Sequence, residues 1–214
     1  MDEELIKIFP PNVMRYISDY IKEGGVQEIR IKVEKPLIIT LERGEVVTSL
    51  RTCKEDIKYI LQRISSYSLY AYEEEIKQGF ITIKGGHRVG LAGECVMEGG
   101  KLKTIRNISS LNIRISHEIL GCSKKIMKYI YQNKRVYNTL IISPPKCGKT
   151  TILRDVAKNL SEEGKKISII DERSEIAACY MGVPQMNVGI RTDVLDNCLK
   201  GEGMMMAIRT LSQM

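Results

Sequence analysis

The sequence predicts an α/β protein in two parts, and three observations support this fold class. Of the 214 residues, 43% are hydrophobic and 28% are charged, which is the usual range for a globular chain with room for one or two cores. Residues 1–130 mix short helical and strand-like apolar patterns with hairpin turns. From residue 136 the pattern changes to strand, glycine-containing loop, helix and strand, which is the order of a βαβ unit.

The N-terminal elements follow from apolar spacing and turn residues. A helix is predicted where Val13, Ile17 and Ile21 recur at helical spacing, and a Thr52–Glu55 capping box predicts the start of a second helix. Strands are predicted over residues 27–33, 37–41, 46–50, 80–84, 88–92, 95–98, 102–105 and 111–115. This part is therefore expected to be a mixed α/β domain.

The C-terminal elements alternate in type. Ser123 is expected to cap a short basic helix, and the domain boundary is placed at its end, which gives domains of residues 1–130 and 131–214. The apolar run Leu140-Ile141-Ile142 predicts a buried parallel strand over residues 136–143. A helix over residues 150–160 and a strand over residues 167–171 complete the unit, whose crossover should be right-handed.

A phosphate-loop pattern lies between that strand and that helix. Residues 143–150 match G-x-x-x-x-G-K-[ST] except at the first position, where Ser143 replaces glycine. Lys149 is expected to reach the terminal phosphates of ATP, and the Thr150 hydroxyl is expected to bind Mg²⁺. This part is therefore expected to be the first part of a P-loop NTPase domain of the RecA/AAA-like kind. The expected nucleotide-binding residues are Ser143, Pro144, Pro145, Lys146, Cys147, Gly148, Lys149, Thr150 and Thr151.

Two carboxylates, Asp171 and Glu172, end the predicted strand that follows the helix. Because the carboxyl ends of parallel strands share one edge of a sheet, both should lie beside the phosphate loop. From there they could orient an attacking water or hold the water shell of the metal. The alternative is a solvated turn that caps a following helix.

Several other side chains have two interpretations each. Arg191 could contact a phosphate or face solvent, and its loop-like surroundings favour solvent. The run Met204-Met205-Met206 predicts an apolar helix used for core packing or a subunit contact. Arg88, Arg106 and Arg114 are ordinary exposed strand residues unless the protein is a ring-forming ATPase, which would place such arginines on the nucleotide of the adjacent subunit.

Composition narrows the class of protein further. No segment approaches the roughly 20 apolar residues of a membrane-spanning helix, and the acidic N-terminus lacks the apolar core of a signal peptide, so an intracellular soluble protein is expected. The six cysteines form no CxxC pair and are expected to be reduced thiols packed as small apolar residues. The net charge of +7 is compatible with an anionic partner or with solubility alone.

The chain resembles the stage III sporulation protein AA family, whose members are sporulation ATPases similar to the motor ATPases of type II and type IV secretion and of type IV pili. The resemblance covers nearly the whole chain. It lies in residues 28–32, 35–37, 86–93 and 108–115, in the phosphate loop, and in residues 170–177, 189–196 and 202–206.

The resemblance implies an ATPase that assembles as a homo-oligomeric ring, expected to be a hexamer. It implies a cytoplasmic protein that is peripheral to the membrane at the mother-cell face of the forespore, with other stage III sporulation channel proteins as partners. In the related secretion ATPases, the segment matching Asp171 and Glu172 contributes acidic residues near the γ-phosphate. The strand segments that hold Arg88 and Arg114 resemble the places of nucleotide-sensing arginines, so these four residues are the expected catalytic residues.

The end of the sequence adds one expectation and leaves alternatives open. In the family, the string resembling residues 206–212 is followed by an apolar strand with acidic residues at its end, and the sequence stops at Met214 before that strand. The expectation is that this chain binds ATP–Mg²⁺ weakly and hydrolyses it poorly. The alternatives are a non-catalytic assembly scaffold and a nucleic-acid-binding P-loop protein, although nucleic acid is not expected because no fingerprint motif is present and stacking aromatics are few.

Overall fold

The computed structural model describes residues 2–65, 72–77, 79–145 and 147–211, and the chain divides into two units, Met1–Ser116 and His117–Met214. The division falls before the boundary at residue 130 that the sequence suggested. Residues 117–130 group with the second unit because Ser123 hydrogen-bonds Asp155 and because Ile130 packs against Val156 in an apolar cluster of that unit.

A six-stranded antiparallel sheet forms the centre of the first unit, with the strand order β3-β2-β1-β6-β5-β4. Its strands are β1 (Val26–Lys32), β2 (Pro36–Leu41), β3 (Gly44–Arg51), β4 (Phe80–Ile83), β5 (His87–Glu98) and β6 (Lys101–Arg114). The helices of this unit are α1 (Asp2–Ile6), α2 (Pro11–Glu23), α3 (Lys54–Ile64) and α4 (Glu73–Lys77).

One face of this sheet and two amphipathic helices make the first core. Strand β1 buries Ile29 and Ile31 at alternating positions, which is the period-2 pattern of a half-buried strand. Helix α2 buries Val13, Ile17 and Ile21 against the same cluster, so the predicted helix is confirmed.

The start of α3 differs by one residue from the predicted capping box. The Asp56 carboxylate accepts the Cys53 N–H at 2.8 Å, so Cys53 and Asp56 occupy the cap positions. The Thr52 hydroxyl instead donates to the Lys32 carbonyl at 2.8 Å and ties the helix start to the end of β1.

Four of the predicted strand segments merge into one long hairpin. Strands β5 and β6 pair from Arg88 opposite Arg114 to Glu98 opposite Lys101, and Gly99-Gly100 makes the turn. The pairing slips between Ala92 and Glu94, where a bulge bends the hairpin.

The second unit contains a parallel strand pair flanked by helices. Its helices are α5 (Lys124–Ile130), α6 (Lys149–Glu162) and α7 (Lys200–Thr210), and its strands are β7 (Tyr131–Gln132), β8 (Arg135–Val136), β9 (Ile167–Asp171) and β10 (Thr192–Asp196). Strands β9 and β10 run parallel from Ile167 opposite Thr192 to Asp171 opposite Asp196. Among the described residues, no helix is long and apolar enough to cross a membrane.

The predicted strand over residues 136–143 is wrong. Val136 pairs with Tyr131 in the short β7–β8 hairpin, and residues 138–144 form no strand. Leu140 and Ile142 are each 81% exposed. A strand requires hydrogen-bonded neighbours, and within the described part of the chain residues 138–144 pair with no strand.

Candidate nucleotide-binding site

The phosphate-loop residues lie at the N-terminus of α6. Gly148 precedes the helix with φ +79°, a left-handed conformation that favours glycine. A Cβ built at this position would meet no other atom within 4 Å, so backbone conformation, and not space, requires the glycine. The first amides of α6 have no intrahelical acceptor and are available to an anion. Lys146 of the predicted set lies outside the described residues.

The Lys149 side chain folds back onto its own loop. Its Nζ donates to the carbonyl oxygens of Ser143 at 2.8 Å and Pro144 at 2.9 Å. The Nζ also lies 3.4 Å from Ser143 Oγ, so the loop closes on the serine through both its carbonyl and its hydroxyl. The ammonium therefore lies beside the helix N-terminus, where a phosphate could replace the two carbonyls.

A cavity of about 430 Å³ opens beside this helix end. It brings together Lys149 and Thr150 from the phosphate loop with Glu172 from the end of β9. Its other lining residues are Ile130, Thr139, Leu140, Ile141, Leu153, Val156, Ile170, Asp171, Arg173, Glu175, Ile176 and Lys200. Ser143, Pro144, Pro145, Cys147, Gly148 and Thr151 belong to the same loop and helix start but do not line it.

The Asp171 carboxylate shapes the loop after β9. It is buried, and it accepts the backbone N–H groups of Glu175 at 2.9 Å, Ile176 at 2.7 Å and Ala177 at 2.9 Å. The Asp171 carboxylate therefore holds this loop in place, and its role in orienting water or holding a metal's water shell stays a prediction. Arg154 supports the same loop by donating to the Glu175 and Ile176 carbonyls, and burial lowers its pKa although nearby carboxylates oppose that change.

Unlike Asp171, whose carboxylate accepts backbone N–H groups, Glu172 pairs with a side chain. Its side chain is 34% exposed, and its carboxylate forms an ion pair with the ammonium of Lys200 at the start of α7. Sequence reasoning missed Lys200. No local pattern marks it, since the pairing depends on β10 bringing the chain back beside β9.

The cysteines only partly match the expectation of packed thiols. Cys179 is buried, and burial together with the charges of Asp196 and Asp171 raises its pKa to about 12. Its thiol is therefore neutral and unreactive at physiological pH. Cys53, Cys95, Cys122 and Cys147 are exposed, which corrects the prediction that they pack as apolar residues.

The two arginines proposed to act on a neighbouring nucleotide lie in the first unit. Arg88 and Arg114 face each other across β5 and β6. The Arg88 guanidinium lies 4.9 Å from the centre of the Phe80 ring, and Arg114 Nε lies 3.5 Å from Glu28 Oε2. Burial raises the pKa of Glu28, but its hydrogen bonds from Arg30 and Asn112 and the two arginine charges lower the pKa overall.

Two further expectations concern residues of the second unit. Arg191 is exposed, as its surroundings suggested, and its guanidinium donates to the Ser161 carbonyl at 3.0 Å near the C-terminal end of α6. Helix α7 forms where the apolar run predicted it, but it buries Gly203 and Ala207 and leaves the three methionines exposed. Core packing by the methionines is thus wrong, and a subunit contact stays a prediction.

Comparison with known proteins identifies a family that this sequence matches over almost its whole length. It matches the family described as "Sporulation stage III, protein AA" over residues 2–214. It is 45% identical over 217 residues to the stage III sporulation protein AA of Bacillus subtilis (strain 168), covering 98% of this chain and 70% of that protein. A shorter match, 36% identical over 72 residues, covers 33% of this chain and 21% of the uncharacterised protein ycf45 of Cyanidium caldarium.

Two solved structures share the fold. The ATPase DotB of Legionella pneumophila aligns with a TM-score of 0.51 at 14% identity, covering 94% of this chain and 57% of that one. The pilus retraction motor PilT with bound ADP aligns with a TM-score of 0.53 at 11% identity, covering 91% of this chain and 56% of that one. The chain spans somewhat more than half the length of each, and at these identities the likeness concerns the fold alone.

Proposed function

The chain belongs to the sporulation stage III protein AA family, and from that premise we propose that it is the ATP-binding motor subunit of a secretion-like channel used in endospore formation. One observation carries the proposal: the cavity unites Lys149 and Thr150 with Glu172 at the N-terminus of α6 and the carboxyl end of β9. In an α/β unit this is the place where a phosphate anion meets free amides, a lysine and an acidic group together.

The donor set at the cavity fits a triphosphate with its metal ion. Lys149 supplies a cation, the first turn of α6 supplies amides, and the Thr150 hydroxyl supplies an oxygen of the kind Mg²⁺ accepts. Among the described residues, no group of three or more His, Cys, Asp or Glu side chains could hold a metal by itself. Mg²⁺ would be held by Thr150 and the phosphates, where it would neutralise phosphate charge.

The proposed function also includes assembly with other copies of the chain and with other proteins. We propose a homo-oligomeric ring, a hexamer, in which Arg88 and Arg114 of one subunit approach the nucleotide of the next. The partners would be the other stage III sporulation channel proteins, and the site of action would be the mother-cell face of the forespore membrane. Light scattering with and without ATP tests the ring, whose assembly Arg88→Ala and Arg114→Ala should leave intact.

Nucleotide binding is the direct test. Titrating a fluorescent ATP analogue into the chain with Mg²⁺ should show saturable binding that unlabelled ATP displaces. Lys149→Ala should weaken binding at least about 10-fold, because a charge-assisted contact to phosphate is lost.

Lys166→Ala is the matched control, because it removes an equal charge from an exposed position of the same unit outside the cavity lining. It should leave the affinity unchanged. An unaltered chain that fails to bind the analogue would refute the proposed function.

A further inference from the structure

A second lysine, Lys200, lines the cavity that holds Lys149. The two lysines come from different helices, α6 and α7, and reach the cavity from separate elements. Each ammonium rests on an acceptor of the protein itself: Lys149 on the carbonyls of Ser143 and Pro144, and Lys200 on the carboxylate of Glu172. Both lysines of the cavity therefore rest on partners that a ligand could replace.

The backbone position of Lys200 is fixed by close packing of α7 on β9. A Cβ built on Gly203 would lie 2.6 Å from Ile170 Cγ2 and 3.1 Å from Cys198 Sγ, so the helix approaches the strand as closely as glycine permits. Ile170 is two residues before Glu172 in the chain. Helix α7 thus presents its first residue, Lys200, at the end of β9 where Glu172 begins the next loop.

The ion pair between Lys200 and Glu172 is weak enough to exchange. The side chains are 68% and 34% exposed, and ion pairs in water at the surface contribute little to stability. A polyphosphate carries several negative charges and accepts strong charge-assisted hydrogen bonds from an ammonium group. A phosphate entering the cavity therefore competes favourably with Glu172 for Lys200.

We propose that Lys200 is a second phosphate-binding lysine, which passes from Glu172 to the bound nucleotide. This inference rests on the proposed function and deepens it, because it assigns a switch to the same site. With nucleotide absent, Lys200 neutralises Glu172. With nucleotide bound, Lys200 contacts the phosphates, and the Glu172 carboxylate is left without its cation beside the phosphate chain.

The test is a comparison of nucleotide affinities in the full 214-residue chain. Lys200→Ala should weaken ATP binding about 10-fold, since one charge-assisted contact to phosphate is removed, while adenosine competes equally with both proteins. Lys200→Arg should restore most of the ATP affinity. Glu172→Gln should tighten ATP binding by several-fold, because Lys200 then has no competing carboxylate, and that gain should vanish in the Lys200→Ala/Glu172→Gln double variant.

Three results would overturn the inference. If Lys149→Ala weakens ATP binding but Lys200→Ala matches the Lys166→Ala control, Lys200 is not a phosphate ligand and the proposed function stands. If Glu172→Gln tightens binding equally with and without Lys200, the exchange is wrong and Glu172 merely repels phosphate. If the unaltered chain binds no ATP, the proposed function fails and this inference fails with it. A melting curve for each variant separates lost affinity from lost folding.

Discussion

Buried carboxylates organise the backbone around the cavity. Asp155 on α6 accepts the N–H groups of Gly121 and Ser123 and the Ser123 hydroxyl, and Asp171 accepts three successive amides after β9. A buried carboxylate is tolerated when such donors satisfy its oxygens. Glu172 differs because its partner is the side chain of Lys200. In the exchange proposed above, it is the carboxylate that changes partners when a nucleotide binds.

The contacts of Asp155 lead to a prediction about how the free energy of unfolding changes at acidic pH. Burial by itself raises the pKa of Asp155, but its hydrogen bonds with Ser123 and Gly121 lower the pKa overall. A lowered folded-state pKa stabilises the protein above the unfolded value of about 4, and this stabilisation disappears as the pH falls through the folded-state pKa. Asp155→Asn should lower the free energy of unfolding by about 2 kcal/mol near pH 7.

Urea unfolding followed by circular dichroism at pH 7 and near pH 3 measures this effect. The difference between the unaltered chain and Asp155→Asn should shrink at the acidic pH. Asp193→Asn, at an exposed position on β10, is the control and should change little at either pH. A difference that is independent of pH would show that the charge of Asp155 contributes nothing.

At the scale of elements, helix α7 depends on two glycines with opposite roles. Gly203 is buried against Ile170, whose β-branched side chain has little rotamer freedom. Gly201 lies in the same helix with no atom within 4 Å of a built Cβ. Alanine is a better helix former than glycine by about 1 kcal/mol, so the surroundings decide the sign of each substitution.

Paired alanine substitutions measure this contrast. Gly203→Ala should lower the free energy of unfolding by about 1–3 kcal/mol because the new methyl pushes α7 from β9. Gly201→Ala should raise it by up to about 1 kcal/mol. Chemical unfolding of both variants gives the two values, and equal effects would mean that α7 does not pack on β9 as described.

The elements that the sequence predicted are those whose apolar pattern is local. Helix α6 and strand β9 lie within two residues of their predicted bounds, because each carries its own apolar positions and end signals. Strand β10 was missed because it contains Thr192, Asp193 and Asp196 and owes its form to parallel pairing with β9. The strand prediction over residues 136–143 was wrong for the converse reason, because an apolar run does not form a strand without neighbouring strands to pair with.

At the scale of the whole molecule, the two units have separate cores. The large cluster that includes Ile29, Ile113 and Ile57 lies within the first unit, whereas the clusters around Ala157 and Val156 lie within the second. The sequence predicted the phosphate loop from a spaced motif, and it predicted Glu172 from its place at the end of a strand and from the family resemblance. It could not predict Lys200 or the structural use of Asp171, since both depend on long-range contacts around β9.

Separate cores predict that nucleotide stabilises one unit and not the other. A ligand that binds only the folded state stabilises it by about 2.7 kcal/mol at 100 times its Kd, which slows hydrogen exchange through global opening about 100-fold. With ATP and Mg²⁺, amides in α6 and β9 should therefore exchange much more slowly, whereas amides in β1 and β6 should keep their rates. Hydrogen–deuterium exchange read by mass spectrometry resolves these segments, and Lys149→Ala should remove the protection. Equal slowing in β1 would show that the two units unfold together, because a ligand held by the second unit can protect the first only if one cooperative transition opens both.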